Sequence, residues 1–257
     1  MAVVEAYVSI LALSDMHLVR GDKDVARGLN LKLHAGSITV VLGPNGAGKS
    51  SLLLAMAGML TPASGVIELK GRPLDDYSRR EIAGLIAWQG ELPPAEFSLT
   101  VSERLHLAGS DVCGTDMERA CRMVDIAHVC GRPLGRLSAG ERQRVELAAV
   151  LLRECPILLL DEPTAHLDLR HQAAWLDTMR QQAAAGKTVV AVLHDVQQAA
   201  CVADEAVFIY GDGKAVHGKA ADMLTQTKLE ELFGSPILAL EQEGLILPDY
   251  RSVNETA

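Results

Sequence analysis

The sequence predicts an α/β protein in which a parallel-sheet core carries an N-terminal antiparallel β layer and an inserted α-helical subdomain. Residues 157–160 and 189–193 are continuous apolar runs, which is typical of parallel strands covered on both faces. A glycine-rich loop at residues 43–48 separates another apolar run, residues 38–42, from a helical pattern. Residues 99–152 have helical periodicity with glycine breaks, which predicts helices inserted between the strands.

Length, composition and charge fit one large domain and disfavour a nucleic-acid-binding protein. The 257 residues are 49% hydrophobic, which is enough for a sizeable core. The formal net charge is −9 and the pI is about 5.4. Because binding to a phosphate backbone requires clustered lysine and arginine, we expect no nucleic-acid partner. The five cysteines form no C-x-x-C pair and no zinc-ligand spacing, which indicates reduced thiols.

No segment of the sequence is long enough to cross a bilayer. The longest apolar stretches, such as residues 52–60 and 189–193, are far shorter than the ~20 residues that a membrane-spanning helix needs. The first 13 residues include Glu5 and no basic region, so we expect no secretory signal. If the protein energises transport, separate membrane subunits must therefore supply the path.

The predicted elements divide the single domain, residues 1–257, into three parts. Short strands are expected at residues 8–11, 29–33, 38–42 and 66–69, and a helix at residues 49–59. We expect a core formed by residues 1–90 and 155–220, a helical subdomain at 91–154 and a C-terminal extension at 221–257. Residues 238–257 carry few helix or strand signals, and we assign them no chemistry.

Residues 43–50 match the pattern G-x-x-x-x-G-K-[ST] of a phosphate-binding loop. Its glycines let backbone N–H groups surround phosphate oxygens, Lys49 reaches the β- and γ-phosphates, and the Ser50 hydroxyl binds Mg²⁺. The helical pattern starts at Lys49, so the positive end of the helix dipole faces the anion. The motif predicts a P-loop NTPase core that binds ATP and Mg²⁺ through Gly43, Pro44, Asn45, Gly46, Ala47, Gly48, Lys49, Ser50 and Ser51.

Four polar residues follow predicted strands, at the edge where open α/β sheets bind ligands. Asp161 is expected to hold Mg²⁺, and Glu162 to polarise the attacking water. His194 follows the next strand, near the expected γ-phosphate, and the Gln89 amide can bind Mg²⁺ or the water. Each also has an ordinary interpretation when taken singly: two solvated acids, a structural histidine and a glutamine that opens a loop.

Six motifs in register resemble those of the nucleotide-binding subunits of the ATP-binding cassette (ABC) family, over nearly the whole chain. The phosphate loop is residues 43–50, the glutamine loop is at Gln89, and the signature is Leu-Ser-Ala-Gly-Glu at residues 137–141. The strand that ends in Asp161 and Glu162 is followed by the D-loop at residues 165–168 and by the switch histidine His194.

The resemblance implies an ATPase that works as a head-to-tail homodimer. Each of two ATP molecules is bound between the phosphate loop of one chain and the signature loop of the other. The residues expected to act from the second chain are Ser138, Ala139, Gly140 and Glu141 of the signature, with Asp168 of the D-loop. The same resemblance makes Glu162, His194 and Gln89 catalytic, and makes Ser50, Gln89 and Asp161 the Mg²⁺ ligands.

The chain departs from the family pattern at three positions. Arg20 aligns with the aromatic residue that usually stacks on adenine, and its planar guanidinium can stack on a base instead. Ala139 replaces the first glycine of the signature; if that position needs φ > 0, the strain is on the order of 1 kcal/mol. Glu141 replaces a glutamine, so a carboxylate that only accepts hydrogen bonds stands where an amide can donate.

Residues 71–83 and 203–234 resemble importer ATPases for iron-siderophores, haem and cobalamin, and shorter matches favour cobalamin as the cargo. The chain would then be a peripheral subunit at the cytoplasmic face of the inner (plasma) membrane. Its partners would be two permease subunits, one helix of which contacts residues 90–100, and a periplasmic or extracellular substrate-binding protein. The alternative is a single-cassette ATPase that partners soluble proteins, as in iron-sulfur cluster assembly. A P-loop kinase is disfavoured as an alternative, because it would need neither the signature nor His194.

Overall fold

Twelve strands and nine helices make up the part of the chain described by this computed structural model. It describes residues 9–90, 92, 99–109, 114–240 and 245–248, with the backbone alone at 238–240 and 245–248. The strands are β1 (Ser9–Arg20), β2 (Lys23–His34), β3 (Ile38–Leu42), β4 (Ser64–Leu69), β5 (Arg72–Pro73), β6 (Ile86–Gln89), β7 (Ile157–Asp161), β8 (Thr188–Val192), β9 (Glu205–Ile209), β10 (Ala215–Lys219), β11 (Ile237–Leu240) and β12 (Leu245–Pro248). The helices are α1 (Lys49–Met56), α2 (Arg79–Leu85), α3 (Val101–His106), α4 (Gly114–Met123), α5 (Ala139–Leu152), α6 (Leu169–Ala184), α7 (Val196–Val202), α8 (Ala220–Met223) and α9 (Gln226–Phe233).

The N-terminal layer is an antiparallel sheet with the strand order β2-β1-β4-β5. The strands predicted at residues 8–11 and 29–33 were too short, since β1 and β2 each contain 12 residues. Their pairing shifts register between Leu13 and Met16, where Asp15 has a φ of +47°. Because such an irregularity breaks the alternation of apolar and polar residues, the pattern ends before the strand does.

The central sheet confirms the α/β class. Its strand order is β10-β9-β3-β8-β7-β6, with β10 antiparallel to β9 and all other neighbours parallel. Every residue of β3, β7 and β8 is buried, as their continuous apolar sequences predict. Parallel pairing places the carboxyl ends of β3, β6, β7 and β8 along one edge of the sheet.

Two hydrophobic cores lie on the two faces of the central sheet. On one face, Leu158 of β7 packs in a cluster with Trp175 and Met179 of α6. On the other face, Leu159 packs in a cluster with Leu52 of α1 and with the antiparallel layer. The sheet is therefore covered on both sides, and α1 is held between it and the N-terminal layer.

The stretch between β6 and β7 contains helices α3, α4 and α5. Helices α3 and α5 each begin with a capping box, at Thr100 and Ser138. An ion pair joins α3 to α5, in which Arg104 Nε donates to Glu146 Oε1 at 3.0 Å. The described residues contain no helix that is both long and apolar enough to span a bilayer.

Two elements differ from the sequence prediction. Helix α1 ends at Met56, not at residue 59, because the chain turns at Gly58, which has a φ of +68°. The C-terminal residues, predicted to lack strands, include a hairpin in which β11 pairs with β12. A hairpin satisfies the backbone hydrogen bonds of two short strands mutually, so neither needs the long apolar pattern of a core strand. The four described cysteines, Cys121, Cys130, Cys155 and Cys201, are free thiols, and Cys113 lies outside the described residues.

Candidate functional site

The carboxyl edge of the central sheet brings together the residues predicted for nucleotide chemistry. Gln89 and Asp161 are the last residues of β6 and β7, and Glu162 follows Asp161 directly. His194 lies two residues beyond β8. The phosphate loop connects β3 to α1 at the same edge.

The phosphate loop has a conformation that depends on glycine. Gly46 and Gly48 have φ angles of +73° and +105°, which residues with a side chain rarely adopt. At Gly48 a Cβ atom would also lie 2.6 Å from both γ-methyl carbons of Val25. Gly48 is the N-cap of α1 and no side chain accepts a hydrogen bond there, so the first N–H groups of the helix are available to an anion.

Lys49 is buried within this loop. Its Nζ donates hydrogen bonds to the carbonyl oxygens of Gly43 at 2.8 Å and Pro44 at 2.9 Å. Burial lowers the pKa of Lys49 below its ordinary value, while the charges of Glu162 and Asp161 act in the opposite direction. The two carbonyl contacts hold the ammonium inside the loop.

A cavity of about 710 Å³ opens over the phosphate loop, within the range of sites for small molecules. Arg20 and Lys23 of the β1–β2 hairpin line it together with Glu162 and His194 of the sheet edge. Its lining consists of Arg20, Lys23, Val25, Asn45, Gly46, Ala47, Gly48, Lys49, Ser50, Ser51, Glu162 and His194. The lining therefore combines basic side chains of the hairpin with the pair of polar residues at the sheet edge.

A second cavity, of about 280 Å³, shares Ser50 and Glu162 with the first and adds Gln89 and Asp161. The Gln89 amide nitrogen donates to the carbonyl oxygens of Gly90 at 2.6 Å and Asp161 at 3.1 Å. Its other atom, Oε1, is buried and has no hydrogen-bond partner in the described part of the chain. An unpartnered buried oxygen beside a serine hydroxyl and carboxylates is a donor set that suits Mg²⁺.

Glu162 and His194 are in direct contact. His194 Nε2 lies 2.5 Å from Glu162 Oε1, and both side chains are a little under half exposed. The Glu162 backbone has a φ of +51°, and its N–H donates to the Val192 carbonyl oxygen at 3.2 Å. A non-glycine residue at positive φ is held there by its surroundings, which is common at functional sites. The strained turn points the carboxylate toward the nucleotide cavity that it lines.

The signature loop forms the start of α5 and lies outside the nucleotide cavity of its own chain. Ser138 is the N-cap, and none of Ser138, Ala139, Gly140 and Glu141 lines that cavity. Ala139 is the first helical residue and is absent from the described residues with positive φ. The strain considered for Ala139 from the sequence therefore does not arise, because helical backbone accepts a Cβ atom at no cost.

The D-loop contacts the signature loop within one chain. A Cβ atom at Gly140 would lie 2.7 Å from the His166 carbonyl oxygen, so the two backbones touch at this point. Asp168 caps α6 by accepting hydrogen bonds from the N–H and Nδ1 of His171 at 2.9 and 2.8 Å. These hydrogen bonds lower the pKa of Asp168 below its ordinary value. His171 also contacts Arg144 of α5 at 3.0 Å, so it links the start of α6 to α5.

Sequence reasoning missed Gln143 and Lys23. Gln143 is buried in α5 and its amide donates to the carbonyl oxygens of Glu162 at 3.3 Å and Pro163 at 3.0 Å, which fixes the turn that carries Glu162. Its position two residues after the signature was the available signal. Lys23 pairs with Arg20 across the hairpin, and only that pairing places it at the nucleotide cavity.

A glycine loop at a helix N-terminus, a buried lysine and an acid–histidine pair at one sheet edge define the class of P-loop nucleotide hydrolases. The family model described as ABC transporter matches residues 26–165, more than half of the chain. The chain belongs to the ABC transporter family and is an ATPase of that family, whose hydrolysis of ATP is coupled to transport.

Similar proteins cover nearly the whole chain. The hemin import ATP-binding protein HmuV of Streptomyces coelicolor is 37% identical over 89% of this chain and 84% of its own length. The protein of the same name from Pseudomonas putida is 36% identical over 89% of this chain and 94% of its own. Among solved structures, an inward-facing ABC transporter described as being of metal-chelate type matches with a TM-score of 0.78 at 24% identity, covering 95% of this chain and 98% of the matched chain. That likeness supports the fold.

Proposed function

We propose that this chain is the ATPase subunit of an importer for a metal chelate, with hemin as the first cargo to test. The observation that carries the ATPase assignment is the cavity in which the phosphate loop, Glu162 and His194 meet. The cargo is proposed because the relatives from Streptomyces coelicolor and Pseudomonas putida are named hemin import proteins. Cobalamin, which the sequence alone favoured, and an iron-siderophore are the competing cargoes.

Within the cavity, the proposed roles follow from position. The N–H groups of residues 45–49 bind the phosphates, and Lys49 leaves its two carbonyl partners to neutralise them. Glu162 accepts a proton from the attacking water, and His194, 2.5 Å from that carboxylate, orients it and the γ-phosphate. Arg20 stacks on the base at the far end of the cavity.

Mg²⁺ fits the second cavity. Ser50, Gln89 and Asp161 would hold it, and Gln89 offers a buried oxygen that lacks a partner among the described residues. When bound, the ion neutralises charge on the β- and γ-phosphates. The contribution of the chain is to fix the oxygen donors of Gln89 and Asp161 at adjacent strand ends and that of Ser50 at the start of α1.

The active form is a dimer in which each signature loop completes the other chain's site. This is proposed because the signature residues 138–141 line no part of their own nucleotide cavity, although they begin a helix whose N-terminus attracts anions. Asp168 of the D-loop would lie at the same interface. In this arrangement ATP closes the dimer and hydrolysis opens it.

The membrane partners are two permease subunits. In the full system a substrate-binding protein outside the membrane delivers the cargo to them. The chain would sit peripherally at the cytoplasmic face, with residues 1–90 and 155–220 as the ATP-binding core, 91–154 as the signature subdomain and 221–257 as an extension. The predicted permease contact, residues 90–100, lies largely outside the described residues. Crosslinks from Ala95 to a membrane subunit would support this contact.

The experiment is uptake into vesicles that contain the chain and the membrane subunits with which it copurifies from detergent-solubilised membranes. We expect ATP-dependent uptake of hemin that Lys49→Ala abolishes. Uptake of cobalamin and of an iron-siderophore should be lower than uptake of hemin. Uptake of cobalamin in preference to hemin would correct the cargo. Recovery of soluble partners alone, with no membrane subunit, would favour the single-cassette ATPase of the iron-sulfur assembly type instead.

A further inference from the structure

The signature loop of this chain contains an acidic residue, Glu141, that forms hydrogen bonds and ion-pair contacts with several neighbours. Glu141 is the third residue of α5 and forms a capping box with Ser138. Its Oε2 accepts hydrogen bonds from the Ser138 N–H at 2.8 Å and from the Ser138 hydroxyl at 2.9 Å. The Glu141 N–H in turn donates to the Ser138 hydroxyl oxygen at 3.2 Å. The hydroxyl proton of Ser138 is thus committed to the carboxylate of its own chain.

The other carboxylate oxygen, Oε1, faces an arginine and a histidine from the segment that precedes the signature. Arg132 Nη1 lies 4.0 Å from it and His128 Nε2 lies 3.9 Å from it. Arg144, on the next turn of α5, adds a weaker favourable charge. Hydrogen bonds from Ser138 contribute most to lowering the pKa of Glu141, and Arg132 and Arg144 lower it further. The carboxylate is therefore ionised at neutral pH, with Arg132 on the side opposite Ser138.

We propose that Arg132 is a positioning residue for the signature loop: it holds the Glu141 carboxylate and offsets its charge, so that the N–H groups at the start of α5 can receive the γ-phosphate held by the second chain. This inference rests on the proposed ATP-sandwich dimer. An ionised acid in hydrogen-bonding distance of Ser138 repels a phosphate that approaches Ser138. A guanidinium at the far oxygen reduces that repulsion without itself touching the phosphate.

The size of the effect follows from the exposure of the pair. Arg132 is more than half exposed and Glu141 about one-fifth exposed, so the interaction is that of a partly screened ion pair. Such pairs change an equilibrium constant by about two- to fivefold. Because the dimer contains two equivalent sites, the dissociation constant of the ATP-bound dimer changes by the square of this factor, about four- to 25-fold.

The test is a double-mutant cycle in the full chain carrying Glu162→Gln, which retains ATP. The dissociation constant of the ATP-bound dimer is measured by analytical ultracentrifugation for Arg132→Gln, Glu141→Gln and the combination. We expect Arg132→Gln to weaken the dimer about four- to 25-fold and Arg132→Lys to restore it. In the Glu141→Gln background, Arg132→Gln should have a smaller effect, since the neutral amide neither repels the phosphate nor is held in place by a guanidinium.

Arg136→Gln is the matched control. Arg136 is an exposed arginine of the same loop and forms no ion pair within the described ranges, so its replacement should leave the dimer unchanged. In the chain with Glu162 intact, Arg132→Gln should raise KM for ATP and leave kcat unchanged, a split that a general loss of stability would not give.

Two outcomes overturn the inference. Suppose that Arg132→Gln weakens the dimer by the same factor in the chain that has Glu141 and in the chain that carries Glu141→Gln. Arg132 then acts on the phosphate or the second chain directly. If Arg132→Gln and Arg136→Gln behave alike, the contact with Glu141 is without consequence. Failure of the proposed function is distinguishable from both, because then the Glu162→Gln chain itself would stay monomeric with ATP.

Discussion

Replacing Gly48 by alanine tests whether the phosphate loop is fixed by its packing against the antiparallel layer. Gly48 has a φ of +105°, and an added Cβ would lie 2.6 Å from both γ-methyl carbons of Val25. The left-handed backbone costs about 1–2 kcal/mol, and the overlap costs about 1–3 kcal/mol. We expect Gly48→Ala to lower the free energy of unfolding by about 2–5 kcal/mol. Gly46→Ala should lower it by about 1–2 kcal/mol only, because Gly46 has a φ of +73° and open space around its Cβ position.

The assay is urea unfolding of Gly48→Ala, Gly46→Ala, Val25→Ala and the two combinations with Val25→Ala. Removing the γ-methyl carbons of Val25 leaves only its Cβ near Gly48, at 3.1 Å. Gly48→Ala should therefore cost about 1–3 kcal/mol less in the Val25→Ala background, whereas the cost of Gly46→Ala should be unaltered. Strictly additive effects of Gly48→Ala and Val25→Ala would refute the reasoning, since the overlap would then contribute nothing.

Three further predictions concern the reaction site and its interface. Glu162→Gln should reduce ATP hydrolysis by about 10²–10⁴-fold and leave an ATP-bound dimer visible by size-exclusion chromatography; hydrolysis at the original rate would exclude Glu162 as the base. Gly140→Ala should cost about 1–3 kcal/mol in unfolding experiments and reduce ATPase activity, because its Cβ would lie 2.7 Å from the His166 carbonyl oxygen. Gly131→Ala, with nothing near its Cβ position, is the control, and equal effects of the two would count against the D-loop contact. The pKa of Asp168 is depressed in the folded chain, so its stabilisation is present above the ordinary value and is lost as pH falls through the lowered one. The free energy of unfolding, measured between about pH 5 and pH 3, should therefore depend less on pH in Asp168→Asn, which retains the helix cap. The same pH dependence in Asp168→Asn and in the original chain would contradict this.

The amino-acid sequence alone predicted where the candidate site lies in the fold. A strand, a glycine loop and a helix that begins at Lys49 are consecutive in the chain, so their geometry follows from local rules. Asp161 and Glu162 end a strand whose apolar residues predict burial, and burial of parallel strands predicts a shared edge with His194. These inferences needed only periodicity, strand ends and the preferences of glycine.

Contacts between residues that are distant in the sequence depend on how the whole chain packs. Only pairing across the sheet brings the Gln89 amide nitrogen to the Asp161 carbonyl and leaves the Gln89 Oε1 buried without a hydrogen-bond partner among the described residues. The approach of Gly140 to the His166 carbonyl and the position of Arg132 beside Glu141 likewise depend on how loops lie against each other. Such contacts join residues separated by many positions, and their energies depend on distance and burial, which no local pattern encodes. Local preferences therefore determined the elements and their chemistry, while packing of the whole chain set the distances through which they act.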